Sequence, residues 1–408
     1  MQTIRSAIDE CPAPSDPSAE PGETAVESTA IMCRLVDVVS VEHEWRRLER
    51  MPLNSLHQGY DWCRSWSIAH GRTPLVIEGR AGDRTLLLLP LEIARRNGIR
   101  VAAFPGGRHN NLNTGLFAEN FQPAPAQQMD IRRQIALLLK GKADLAVLEA
   151  VPRRWRDGDH PLAALCMRTH LNPSFQLPLH PRFEETLKQL NAKRRRKKFR
   201  TQNRRLEEAG GYDHWVPETF SEQHTLLDLF FRQKRVRFEA HGLPDVFADP
   251  EIRAFFHTLI DAGATEQNYP LRLHAIRLRK GGEIAAIAGL SRKGDHIICQ
   301  FGSIDGTLHP EASPGELLFW LMIERACAQG AALFDFGVGD QGYKRSWCPV
   351  ETVLYDISIP ISTAGRIAAA LHAGIGRAKL GIKRNPRLYR IIQRLRAGRS
   401  APAPAELN

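Results

Sequence analysis

The densest group of reactive side chains lies in residues 334–347, FDFGVGDQGYKRSW. Two carboxylates (Asp335, Asp340), a phenol (Tyr343), two cations (Lys344, Arg345) and an indole (Trp347) share one short segment. That mixture can activate an amine or hydroxyl and stabilise a developing oxyanion or phosphate. In a strand the side chains of LFDFG alternate, so Asp335 points to the face opposite Phe334 and Phe336. A plainer reading makes Asp335 a turn-fixing acceptor and Lys344 and Arg345 solvated cations, with Trp347 packed beneath them. The residue types leave both readings open.

Asp335-Phe336-Gly337 is also the magnesium-holding tripeptide of protein kinases. No Gly-rich loop, strand lysine or His-Arg-Asp loop stands upstream, so that chemistry is excluded. A second candidate is SPGELLFWLMIERACAQG (313–330). Here Ser313 and Glu316 have the spacing of a capping box, Pro314 suits a first turn and Gly330 a stop. The amides and positive dipole end of such a helix suit a phosphate, and Gly315 would admit it closely. In the alternative, Glu316 fills that position with its own carboxylate. A third candidate, GGRHNNLNTGLF (106–117), gathers Arg108, His109, Asn110, Asn111 and Asn113. Of these, Arg108, Asn110 and Asn113 are the acceptor-binding candidates; the same residues could equally form a turn.

These segments need a framework, and the chain shows one pattern twice. PLVIEGR (74–80), RTLLLLPLEIARR (84–96), IRVAAFPGG (99–107), a helix over 126–140 and ADLAVLEAV (143–151) form the first copy. LRLHAIRLRK (271–280), EIAAIAGLSRK (283–293), HIICQFGSI (296–304), a helix over 314–329 and AALFDFGV (331–338) form the second. Both read strand, strand, strand, helix, strand, which predicts two related α/β domains. Between them the pattern predicts a helical insert, with helices over 182–209, after Thr219, and after the Asp249-Pro250 cap pair. The expected limits are a disordered leader at 1–30, domains at 31–180 and 181–360 (the latter with the insert 181–265), and a basic helical tail at 361–408.

Charge is unevenly spread. KRRRKKFRTQNRR (193–205) holds nine cations and no acid, and 363–400 holds ten and none, within a net charge of +11. Such runs suit a polyanion, an anionic membrane or an acidic ligand, or are simply solvated helix faces. Only Phe199 interleaves the first run, which weighs against specific nucleic-acid recognition. In the tail Ile367, Leu371 and Ile375, then Ile391 and Leu395, recur at helical spacing among the cations. No apolar run reaches membrane-spanning length. The seven cysteines lie far apart without a Cys-x-x-Cys pair. No metal site or disulfide framework is expected, and the expected compartment is the reducing cytoplasm, at the inner membrane face where the tail engages it.

The segment HPEASPGELLFWLMIERACAQGAALFDFGVGDQGYKRSWC resembles the carboxy-terminal signature of GNAT-superfamily acetyltransferases of the CelD type, associated with bacterial cellulose and exopolysaccharide synthesis. LNAKRRRKKFRTQNRRLEEAGG and FFRQKRVRFEAHGLPDVFADPEIRAFFHTLI are similar to that family's linker region, and the related FemAB transferases share the arrangement. The resemblance is specific over about 180–358 and implies an α/β (α+β) fold of two tandem GNAT-like domains, each a mixed sheet flanked by helices. It implies an acyl-CoA co-substrate, acetyl-CoA by preference, with no tightly bound cofactor. Ser313, Gly315 and Glu316 would then lie at the donor's pyrophosphate, although HPEASPGE stands where most relatives carry a glycine-rich arginine loop. Asp335 or Asp340 would be the base, while Tyr343 and Lys344 would lie at the acyl carbonyl or leaving thiolate. The implied reaction is N- or O-acylation of an envelope glycan, glycolipid or small acceptor. The alternatives are a FemAB-like transferase fed by aminoacyl-tRNA and a non-catalytic scaffold for an anionic ligand or membrane.

Overall fold

The computed structural model describes residues 30–165 and 167–384. The proposed leader up to residue 29, the helix break near Asn385-Pro386, and Ile391 and Leu395 lie outside the described residues. The described residues from Ile31 to Arg384 belong to one compact unit.

The first lobe begins with β1 (Met32–Val36), α1 (Glu42–Glu49), α2 (Tyr60–His70), β2 (Leu75–Ala81), β3 (Arg84–Arg96) and β4 (Ile99–Ala103). It continues through β5 (Leu116–Phe117), α3 (Pro125–Leu138), β6 (Leu145–Pro152), the short hairpin strands β7 (Arg154–Trp155) and β8 (Gly158–Asp159), and β9 (Met167–Thr169). β10 (Ser174–Pro178), α4 (Phe183–Lys188), α5 (Ala192–Glu208), β11 (Tyr212–Trp215), α6 (Phe220–Ala240) and α7 (Pro250–Asp261) lead into the second lobe. There follow β12 (Asn268–Leu278), β13 (Ile284–Lys293), β14 (His296–Ile304), α8 (Pro314–Ala328), β15 (Leu333–Val338) and α9 (Gly342–Trp347). The described chain ends with β16 (Val350–Thr352), β17 (Leu354–Pro360) and α10 (Thr363–Arg384).

The repeated pattern holds. Among the described residues, one mixed sheet runs β1-β2-β3-β4-β6-β17-β9, with β5 on β3, and a second runs β11-β12-β13-β14-β15-β10-β16. In each, three antiparallel strands precede a helix whose crossover makes the last pair parallel: β4 with β6, and β14 with β15. The chain passes between the lobes twice, since β10 pairs with β15 and β17 pairs with β6. One expected helix is two: the run over 182–209 breaks between α4 and α5, where Asn191 accepts from the Arg194 amide at 3.2 Å and caps the second. Asp249 caps α7 as read, accepting from the Glu251 amide at 2.9 Å.

An aromatic core joins the lobes. Trp62 and Trp66 on α2 each meet Phe255 on α7 edge-on at 5.1 Å, and His109 meets Phe256 at 5.5 Å. Full burial of one such large apolar side chain stabilises by ~1.5–3 kcal/mol, so this cluster sets how the insert docks on the first lobe. Polar contacts add to it. The Lys293 ammonium donates to the carbonyls of Met51 (2.7 Å) and Asn54, and Arg156 pairs with Asp295 at 2.6 Å.

Candidate active site

The parallel pairing of β14 and β15 covers only His296↔Leu333, Ile297↔Phe334 and Ile298↔Asp335. Beyond it β14 continues to Ile304 and β15 to Val338 without pairing to each other, so the two strands part and leave a slot between them. α8 starts beside its far end. A Cβ on Gly315 would stand 2.7 Å from Cγ2 of Ile304, so this glycine lets the helix start approach the end of β14.

Asp335 and Lys344 both bond to the backbone of Gly337. The wholly buried Asp335 accepts from the Gly337 amide at 2.7 Å and from Ser174 Oγ at 3.2 Å. Lys344, 5% exposed, donates to the carbonyls of Gly337 (3.2 Å) and Val338 (2.8 Å). An ammonium has three donors, and these two carbonyls take up two of them. Burial lowers the Lys344 pKa, with Cys299 and Asp335 acting against that shift. His296 faces Asp335 at 3.5 Å, and burial lowers its pKa too. Tyr343 stacks on Phe319 of α8 (5.3 Å, 14°) and meets Phe336 of β15 at 6.1 Å, bridging helix and strand while staying 42% exposed. Asp340 stands apart: it is exposed and accepts from Arg345 Nε at 2.6 Å. Burial pushes the Cys299 thiol up to about 12, which removes it as a nucleophile at neutral pH.

The slot is met from the first lobe by Asn111, one of the polar loop residues gathered above, and by His57, which sequence reasoning did not select; both reach Gln300 of β14. Asn111 donates to Gln300 Oε1 at 2.8 Å and accepts from the Val338 amide at 3.3 Å. Gln300 donates to Ser291 Oγ at 2.9 Å and lies 3.2 Å from His57 Nε2. His57 Nδ1 lies 3.0 Å from the Leu112 carbonyl, which can only accept. The ring proton is therefore on Nδ1, and Nε2 offers a lone pair to Gln300 and to the Asn111 amide (3.4 Å). Burial pushes the His57 pKa down to about 4, so this imidazole is neutral. Gln300 leaves a trace in the sequence, as a polar residue at an alternating position of an apolar strand. His57, in NSLHQGYDW, leaves none.

The other candidates need correction. Ser313 does not cap α8. Its φ of +48° follows the Pro310–Ala312 turn, and no side-chain capping bond forms. Glu316 instead pairs with Arg195 at 2.7 Å and with Lys198, both on α5. Asn110 and Asn113 are buried and their amides are spent inside the first lobe, not presented to a ligand. Asn110 accepts from Trp62 Nε1 (2.9 Å) and donates to the Pro105 carbonyl (2.8 Å), while Asn113 donates to the Glu149 carbonyl (2.8 Å). Arg108 is exposed on the same loop. Part of the basic run is structural. Arg195 stacks on Trp347 at 3.8 Å and donates to the Ser346 carbonyl, and Arg205 donates to the Glu311 carbonyl.

Residues 193–345 match the family model described as "Acetyltransferase (GNAT) domain". The crystal structure of FemX is similar, with 13% identity, a TM-score of 0.57, and coverage of 80% of this chain and 97% of that one. A conserved protein of unknown function from Bacteroides thetaiotaomicron has 14% identity and a TM-score of 0.50, over 80% of this chain and 99% of that one. The C-terminal domain of a putative lysylphosphatidylglycerol synthetase from Agrobacterium fabrum has 13% identity and a TM-score of 0.50, over 82% and 96%. At these identities the likenesses concern the fold. Comparison with the curated proteins finds no match. The segment that carries α5, the parting of β14 and β15 and the Asp335–Lys344 cluster is the part of the chain that matches the model of a GNAT-type acetyltransferase domain.

Proposed function

We propose that the chain is an acyl-CoA-dependent N- or O-acyltransferase whose donor lies in the slot between β14 and β15. The carrying observation is the parting of these strands after Ile298 and Asp335, inside the acetyltransferase match, with the start of α8 at its far end. The donor's amide chain would lie along β14 beyond Ile298, on the side where no strand pairs with it, as an added strand does. Its pyrophosphate would lie at the start of α8, where Ser313, Gly315 and Glu316 stand, with Lys198, the more exposed of the two partners of Glu316, turning to the phosphates. The acceptor nitrogen or oxygen attacks the thioester carbonyl, its proton passes to a carboxylate, and the C–S bond breaks to release coenzyme A. Lys344 and Tyr343 stabilise the oxyanion or thiolate. Of the two carboxylates, solvent reaches Asp340 and not Asp335.

The acceptor we favour is an envelope glycan or glycolipid, approached from the side of Arg108. Among the described residues no helix is long and apolar enough to cross a membrane. α10 exposes Ile367, Leu371 and Ile375 along one stripe. We place the enzyme in the cytoplasm, with that stripe and the surrounding cations attaching it reversibly to anionic lipid. A second reading, transfer from aminoacyl-tRNA, is favoured by Lys193, Arg194, Lys197 and Arg200, which α5 leaves exposed. A melting-temperature series with coenzyme A, acetyl-CoA, longer acyl-CoAs and aminoacyl-tRNA separates the two. Stabilisation by acetyl-CoA is expected; stabilisation by aminoacyl-tRNA alone would replace the proposal with the second reading.

A further inference from the structure

Far from the slot in sequence, α6 and α7 pack side by side and carry the same pair of residue types at the same spacing. His224 and Asp228 are four apart on α6, and His257 and Asp261 are four apart on α7. Residues four apart share a helix face, so all four side chains meet across the helix pair. Each imidazole is bonded to the carboxylate of the other helix. His224 Nε2 lies 2.8 Å from Asp261 Oδ1, and His257 Nε2 lies 3.1 Å from Asp228 Oδ1. The two Nδ1 atoms face each other at 2.8 Å, with the rings nearly parallel at 5.0 Å and 27°.

Proton bookkeeping at this pair has a definite consequence. A carboxylate only accepts, so both Nε2 atoms carry their hydrogens, and in neutral rings both Nδ1 atoms then carry lone pairs. Two lone pairs do not stand at hydrogen-bonding distance without a cation between them. That cation is either a shared proton or a metal ion. Two ring nitrogens each ~2.0–2.1 Å from one ion and at a right angle to each other stand ~2.9 Å apart, against ~3.3 Å for a tetrahedral pair. The observed 2.8 Å matches neighbouring positions of a square-planar or octahedral ion. The remaining hydrogen bonds also suit a metal, because ligating histidines commonly donate their second N–H to a carboxylate that orients the ring and raises its basicity.

We propose that His224 and His257 bind one divalent first-row transition-metal ion through their Nδ1 atoms, with Asp261 and Asp228 as orienting carboxylates and water completing the coordination. Square-planar and octahedral preferences place Ni(II) and Cu(II) ahead of Zn(II). Each histidine side chain is 29% exposed, so the ion is reachable from solvent. No three or more His, Cys, Asp or Glu side chains converge as a cage among the described residues, and the site has two protein ligands only. Asp228 also lines a cavity of about 140 Å³ with Phe231, Arg232, Arg235 and Arg253. These arginines offset part of the negative charge beside Asp228. The ion would staple α6 to α7, and α7 carries Phe255 against Trp62 and Trp66 of the first lobe.

The test uses the full untagged chain, stripped with a chelator and titrated with NiCl₂ at pH 7.5 by calorimetry and by melting temperature. Saturable binding of one ion per chain in the micromolar range is expected, with a rise in Tm. His224→Ala and His257→Ala should each weaken binding at least ~10-fold, and Asp228→Asn and Asp261→Asn by ~10-fold or more. Circular dichroism checks folding, and His224→Gln keeps a polar side chain of similar length should the alanine variant be unstable. Absence of saturable binding, or parental affinity in folded variants of both histidines, would overturn the site. So would a Tm that moves with pH but not with nickel, the signature of a shared proton alone.

Discussion

Replacing Gly337 with alanine imposes two penalties at one position. Its φ of +72° lies in the left-handed region, where a side chain costs ~1–2 kcal/mol. The new Cβ would also stand 2.1 Å from Asn111 Oδ1, so the asparagine must leave. Its bonds to Gln300 (2.8 Å) and from Val338 (3.3 Å) go with it. At ~0.5–1.5 kcal/mol per bond, Gly337→Ala should cost about 2–5 kcal/mol in all and Asn111→Ala about 1–3 kcal/mol. With Asn111 already truncated, the alanine at 337 meets no amide. The double variant should therefore cost less than the sum of the singles by about 1–3 kcal/mol, the value of the shared bonds. Urea unfolding of the four proteins, followed by tryptophan fluorescence, closes the cycle. Strictly additive costs would show that the first-lobe loop and β15 do not meet, and would refute the closed slot.

Acid should destabilise the protein through its buried histidines. Burial pushes His57 and His160 down to about 4 from an ordinary 6.5, so each contributes stability that is complete above about pH 6.5 and lost as pH falls towards 4. The shift corresponds to about 3 kcal/mol per group; an unfolding free energy that stays flat from pH 7 to 4.5, with no proton uptake on unfolding, would contradict it. Gly315→Val should lower stability by ~1–3 kcal/mol through the contact with Ile304, and Ile304→Ala in the same chain should recover part of the loss. Lys344→Met and Tyr343→Phe should lower turnover by ~10²–10³ if the two stabilise the leaving thiolate or oxyanion. Near-parental turnover in folded variants would leave them as architecture.

The strand and helix order was legible because it is written locally, in alternating apolar runs and in breaks such as the turns at Asn97-Gly98 and Gly281-Gly282. The exchange of β10 and β17 between the sheets was not, because pairing partners such as Gln176 and Asp335 are far apart in sequence. The same limit applied to the slot. Asn111 stood out as one of several polar loop residues, but nothing local to it points to Gln300 or Val338. Glu316 shows the reverse error. The Ser-x-x-Glu spacing is a sound local signal, but the left-handed Ser313 and the cations of α5 override it. Asp335 was singled out from strand alternation and Lys344 from the family resemblance, whereas the bond that ties Asp335 to Ser174, far away in sequence, was not legible in the segment.

Hydrogen–deuterium exchange with and without saturating acetyl-CoA reads most directly whether the slot holds the donor. The account predicts new protection along residues 299–304 and at Gly315, together with altered exchange in the loop that carries Asn111. Absence of acetyl-CoA-dependent protection, or protection confined to β4 and β6 of the first lobe, would contradict it.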